Sequence, residues 1–156
     1  MAEHCSAVSL RPYEAADKRA VCELLQGLTD LYPGGSEWLD ARLDLVLERQ
    51  AHCTLAVQDL RPVGVMIETP KPGNRLKVST LYVSPACRGA GIGRMLIQAG
   101  LRRWLNQRLR YVYVTVDYRL AEQIKRLVAP HGFETVAMDH DRYGSGRHET
   151  VLGRFL

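Results

Sequence analysis

The sequence predicts an α/β (α+β) fold: a mixed, mostly antiparallel central sheet flanked by helices, in the order β-α-α-β-β-β-α-β-α-β-β. Three observations carry this. Strand-like runs separated by short turns between residues 53 and 83 read as a meander. A glycine-rich turn and a long helix follow, and a strand rich in Val and Tyr comes after the helix, which makes a βαβ unit. The chain has 156 residues, and positions 1–156 are read as a single domain.

The elements follow in chain order. Val8 to Arg11 reads as a short strand. Pro12 and Glu14 open a helix with Ala16, Ala20, Val21, Leu24 and Leu25 at helical spacing. Leu31-Tyr32-Pro33-Gly34-Gly35 breaks it, and Ser36 is the predicted cap of a second helix. In that helix Trp38, Leu39, Leu43, Val46 and Leu47 share one broad face. Cys53 to Val57 and Val63 to Glu68 read as hairpin strands around an Arg61-Pro62 turn. A loop over Pro70, Pro72, Gly73 and Asn74 leads to a strand from Leu76 to Val83. The long helix starts at Gly91 or Gly93 and runs to about Leu109. Tyr111 to Val116 is a strand, Leu120 to Ala129 a short amphipathic helix stopped at Pro130. Phe133 to Met138 and Glu149 to Phe155 are the last strands, with a turn over Asp141 to Gly146.

Composition excludes several classes. Apolar residues make up 46% of the chain and charged ones 24%, which rules against disorder or a disulfide scaffold. No apolar run approaches the roughly 18 residues of a membrane span, and no signal peptide is visible at the start. Cys5, Cys22, Cys53 and Cys87 are far apart in sequence, so reduced thiols, no metal and a cytoplasmic location are expected. Charge is uneven. Residues 1–70 hold 6 basic and 11 acidic side chains, residues 71–126 hold 12 and 2. A basic middle implies an anionic ligand nearby.

The segment that carries chemistry runs from Leu81 to Arg94: strand, glycine-rich turn, helix start. Gly89, Gly91 and Gly93 let the backbone approach a ligand closely. The free N–H groups of the first helical turn, with the helix dipole, make a phosphate or pyrophosphate site. A P-loop needs Lys-Ser/Thr after its last glycine, and Arg94-Met95 stands there. The Gly-x-Gly-x-Gly spacing, mid-chain after hairpin strands, also differs from a dinucleotide fingerprint.

Arg88-Gly89-Ala90-Gly91-Ile92-Gly93 resembles the Gln/Arg-x-x-Gly-x-Gly/Ala signature of the GCN5-related N-acetyltransferase (GNAT) superfamily. Leu81-x-Val83-x-Pro85 resembles the strand before it, and Gly132-Phe133 the Gly-Phe pair that begins a later strand. The resemblance implies acetyl-CoA (coenzyme A) as cofactor. Arg88, Gly89, Ala90, Gly91, Ile92, Gly93 and Arg94 are then expected to cradle the pyrophosphate, and Leu81, Tyr82 and Val83 to pair with the pantetheine arm. It implies that the strands around residues 81–83 and 111–116 splay apart, and that a main-chain N–H near Val83 holds the developing oxyanion. Arg119, Lys125 and Arg126 are candidates for the 3′-phosphate end.

The implied reaction is direct attack of a primary amine on the thioester, which needs a proton acceptor for the amine and a donor for the thiolate. Many family members place a tyrosine four residues before Gly-Phe, where this chain has Val128. Some place a glutamate where this chain has Lys77. Glu68, at the end of a strand, and Tyr118, after the Tyr111–Val116 strand, are the substitutes expected to be catalytic. Tyr143 is a further candidate, His131 and His140 read as loop histidines, and Cys87 as a small filler in the glycine turn.

Asp30, Glu37, Asp40, Asp44 and Glu48 fall in the segment where this family builds its substrate wall, with Tyr32-Pro33-Gly34-Gly35 as a lid. Acidic residues there predict a cationic acceptor: a polyamine, an aminoglycoside, or a lysine or N-terminal amine of a protein. The basic middle allows other readings. One is toxin-like acetylation of aminoacyl-tRNA; another is a non-catalytic acyl-CoA-binding regulatory module. A homodimer paired at a sheet edge is compatible with the fold.

Overall fold

The computed structural model describes residues 6–141 and 148–156. Seven strands form one sheet in the order β1-β2-β3-β4-β5-β7-β6. They are β1 (Ser9–Pro12), β2 (His52–Gln58), β3 (Arg61–Lys71), β4 (Arg75–Val83), β5 (Tyr111–Asp117), β6 (Glu134–Asp139) and β7 (Glu149–Phe155). The helices are α1 (Lys18–Thr29), α2 (Gly35–Leu47), α3 (Ile92–Asn106) and α4 (Ala121–Val128). Every neighbouring pair is antiparallel except β4 with β5. That single parallel pair is what the crossover through α3 requires.

Each face of the sheet has its own core. On one, Leu96, Ile97 and Trp104 of α3 and Val128 of α4 pack on Met66, Val78, Val112 and Val114. On the other, Val21 and Leu25 of α1 and Leu39 and Leu43 of α2 pack on Leu55, Val65 and Ile67. Alternation along β3 separates the two sets: Met66 faces α3 and Ile67 faces α1. Among the described residues no helix is long and apolar enough to cross a membrane.

Local chemistry moves several predicted boundaries. The hairpin turn falls at Asp59-Leu60, both at positive φ (51° and 64°), and Arg61-Pro62 already belongs to β3. Two successive left-handed residues match the twist of the flanking strands. Helix α2 is not capped by Ser36; it begins at Gly35 behind a left-handed Gly34. A Cβ at Gly35 would run into the Thr29 carbonyl, so the α1–α2 corner needs glycine there. Helix α3 ends at Asn106, short of Leu109. The predicted turn over Asp141 to Gly146 lies, apart from Asp141, outside the described residues.

Glu68 fixes α3 to the sheet. It stands opposite Val78 on β4 and so shares its α3-facing side. Its carboxylate accepts from Arg103 Nη1 and Nη2 at 3.0 and 2.8 Å and from Trp104 Nε1 at 2.6 Å. Glu68 is 1% exposed, so removing it leaves the buried Trp104 indole N–H unpaired and the half-buried Arg103 guanidinium without its carboxylate. Glu68→Ala is expected to cost about 3–5 kcal/mol of unfolding free energy, with a smaller loss for Glu68→Gln, both read by urea denaturation.

Candidate functional site

Strands β4 and β5 pair only over Arg75–Val78 against Tyr111–Val114. Beyond that point β5 stays bonded to β7 and β4 to β3, so the two diverge. At the point of divergence β4 carries a bulge: Ile67 pairs with Thr80 and Glu68 with Val78, which leaves Ser79 as the extra residue. A bulge bends its strand and increases local twist. The result is a cleft of about 740 Å³ between the diverging strands. One edge of residues 79–83 faces it without a neighbouring strand.

The glycine turn closes one end. Gly89 and Gly91 have φ of 84° and 82°, and a Cβ on either would meet nothing within 4 Å. The glycines are therefore required by backbone conformation and not by crowding inside the protein. The first helical hydrogen bond of α3 runs from Met95 N–H to the Gly91 carbonyl. The N–H groups of Ile92, Gly93 and Arg94 lie ahead of that ladder, at the positive end of the helix dipole. Arg88 folds back: its Nε donates to the Val83 carbonyl at 3.0 Å and its guanidinium lies 5.3 Å from the Tyr82 ring centre. That ties the turn to the end of β4. Amides ahead of a helix, open space before two glycines and the Arg88 and Arg94 charges fit a diphosphate.

The opposite wall comes from α1, α2 and the turn between them. Leu28, Leu31, Tyr32, Pro33, Trp38 and Leu39 line it. Behind it Arg42 donates to Thr69 Oγ1 at 3.3 Å and lies 5.1 Å from the Trp38 ring centre. Thr69 and Ser79 share a 2.7 Å hydrogen bond between hydroxyls, so α2 is tied to the bulge. Burial holds the Arg42 guanidinium below its usual value. On the same sheet face Lys77, Ser79, Thr115 and Glu149 line the cleft. Glu149 is 3% exposed and is the one carboxylate among the described lining residues.

Leu81, Tyr82, Val83, Arg88, Gly89, Gly91, Ile92, Gly93 and Arg94 all line the cleft; Ala90 does not. The two expected catalytic side chains lie elsewhere. Glu68 points to the α3 side, because the strand alternates and Ile67 already takes the other face. Tyr118 sits on the 3-10 turn after β5, 45% exposed, with its ring 5.7 Å from that of His148. The Asp117 carboxylate accepts from the Arg119 N–H and guanidinium, which engages Arg119; of that turn only Leu120 lines the cleft. Lys125 and Arg126 are exposed on α4 and do not line the cleft. Val128 is buried in the core and does not line the cleft. Asp30, Glu37, Asp40, Asp44 and Glu48 are exposed and none lines the cleft, so the wall expected to be acidic is an apolar one. Tyr143 lies outside the described residues. Ser79, Trp38 and Glu149 were not signalled as site residues by any motif; the pairing register places Ser79 and Glu149, and the packing of α2 brings Trp38 to face them.

A sequence profile described as the acetyltransferase (GNAT) family matches residues 19–133. The chain belongs to the GNAT acetyltransferase family. No curated protein sequence matches it. Solved structures resemble its fold. A GNAT family acetyltransferase from Elizabethkingia anophelis with acetyl-CoA bound has a TM-score of 0.75 at 15% identity, over 96% of this chain and 98% of that one. A ribosomal-protein-alanine N-acetyltransferase from Brucella melitensis scores 0.79 at 17% identity, over 95% and 99%. An aminoglycoside 6′-N-acetyltransferase complexed with coenzyme A scores 0.72 at 15% identity, over 94% and 96%. At these identities the GNAT likeness to each is one of fold.

Cys87 reports on the cleft. Cys87 is half-buried on the cleft wall, whereas Cys53 lies in the core, where burial pushes its thiol up to about 12. Iodoacetamide at neutral pH is therefore expected to alkylate Cys87 and spare Cys53. Acetyl-CoA is expected to slow Cys87 alkylation several-fold and leave Cys22, outside the cleft, unchanged, as read by peptide mass mapping.

Proposed function

We propose that this chain is an acetyl-CoA-dependent N-acetyltransferase that transfers acetyl directly to a primary amine. The observation that carries the reading is the cleft itself: diverging strands that end at a glycine turn and the N-terminus of α3. The diphosphate sits against the amides of residues 92–94, between Arg88 and Arg94. The pantetheine arm lies along the free edge of residues 79–83, as an added strand would. Acetyl-CoA supplies an activated thioester; the amine nitrogen bonds the acetyl carbon and coenzyme A leaves as the thiol. The chain contributes binding, alignment of the amine, and main-chain N–H groups on β4 toward the acetyl oxygen. With valine at position 128 the thiolate has no tyrosine donor on α4, so its proton comes from the attacking amine. A cytoplasmic setting accords with free thiols at Cys22, Cys53 and Cys87.

Calorimetric titration with acetyl-CoA tests the binding half. Gly91→Glu sets a carboxylate before the diphosphate and is expected to weaken binding by about tenfold or more, equivalent to about 1.4 kcal/mol. Gly91→Ala, with strain but no charge, is expected to bind between that variant and the wild type. Equal affinity in all three would contradict the reading. Thiol release in the presence of an amine panel tests the transfer half. Acetylated product separates an enzyme from a non-catalytic acyl-CoA-binding module. Steeply salt-dependent tRNA binding would favour the RNA-directed alternative.

A further inference from the structure

Resting on that reading, we propose that the acceptor is a primary amine carried on an apolar or aromatic body, and that Glu149 is the carboxylate that holds the amine and receives its proton. The charge pattern of the cleft argues first. Its lining cations are Lys77, Arg88 and Arg94, and Glu149 is the sole lining carboxylate among the described residues. A polycation would need several such carboxylates, which disfavours polyamines and aminoglycosides. A single ammonium needs one such partner.

Position argues second. Glu149 stands opposite Asp117 on β5, and Lys77 opposite Tyr113. Residues 113 and 117 are an even number apart, so both side chains share the face that Arg42 and Thr69 mark as the α2 side. Ser79, where β4 leaves β5, lies on the same cleft wall. The amine would therefore meet Glu149 on the α2 side of the diverging strands. The wall across from it is Leu28, Tyr32, Pro33 and Trp38, which offers contact area and little hydrogen bonding to the rest of the molecule.

The proton balance is simple. The ammonium loses one proton to Glu149 and from there to water. The neutral amine forms the C–N bond as the C–S bond breaks, and its second proton ends on the coenzyme A thiol. The outcome is one amide, one thiol and one released proton.

The test uses the full chain, acetyl-CoA and three probes: phenethylamine, n-hexylamine and spermidine. Thiol release is expected with kcat/KM for phenethylamine and hexylamine at least about tenfold above spermidine. Glu149→Gln is expected to lower kcat by on the order of 100-fold with acetyl-CoA affinity unchanged. Trp38→Ala, at a half-exposed position that folding tolerates, is expected to raise KM for phenethylamine about tenfold and leave that for acetyl-CoA alone. Preference for spermidine, no turnover of either apolar amine by a protein that binds acetyl-CoA, or full activity in Glu149→Gln overturns the proposal. Failure to bind acetyl-CoA at all overturns the underlying acetyltransferase reading, and the acceptor assignment falls with it.

Discussion

The site exists because one pair of strands stops pairing. Strands β4 and β5 hold together for four residues and then go to different partners, β4 to β3 and β5 to β7. A parallel pair that ends mid-sheet leaves backbone N–H and C=O groups on an inner edge, where a folded protein rarely leaves them without partners. A ligand that forms hydrogen bonds like a strand satisfies them. The extra residue at Ser79 starts the divergence, and the hydroxyl contact to Thr69, backed by Arg42, ties the bulge to α2. The apolar wall of α1 and α2 and the free edge of β4 are thereby parts of one connected structure.

Charge is sorted along the same cleft. Arg88 and Arg94 stand at the glycine turn, where the dipole of α3 adds to them. Arg88 also spends its Nε on the Val83 carbonyl, so it shapes the turn as well as charging it. Away from the turn the lining becomes apolar, with Glu149 and Lys77 as the remaining charges among the described lining residues. The basic excess of residues 71–126 is thus only partly explained by the cleft: Arg103 serves Glu68 and Arg119 serves Asp117.

The glycine turn and the strand before it were legible in the sequence because their signals are local. Three glycines in five residues, a β-branched strand ahead and an apolar helix behind define the site without knowledge of the rest of the fold. The catalytic candidates were not legible in the same way. Whether Glu68 faces the cleft or α3 depends on counting from Ile67, and the count near Ser79 is changed by a bulge that no residue pattern announces. Tyr118 lies on a short turn capped by Asp117, of which only Leu120 reaches the cleft lining. Glu149 reached the cleft through pairing with β5, a contact more than thirty residues away in the chain. The acidic residues on α2 and just after α1 and α2 misled for a different reason: they are exposed to solvent, while the apolar faces of the two helices build the wall.

The most direct measurement of the central claim is amide NMR of the uniformly 15N-labelled chain with and without acetyl-CoA. Strong shifts and slowed hydrogen exchange at the amides of Ile92, Gly93 and Arg94 and of residues 79–83 are the predicted result. Perturbation confined to other regions, or amides of the α3 N-terminus that exchange at the same rate when the ligand is bound, would contradict it.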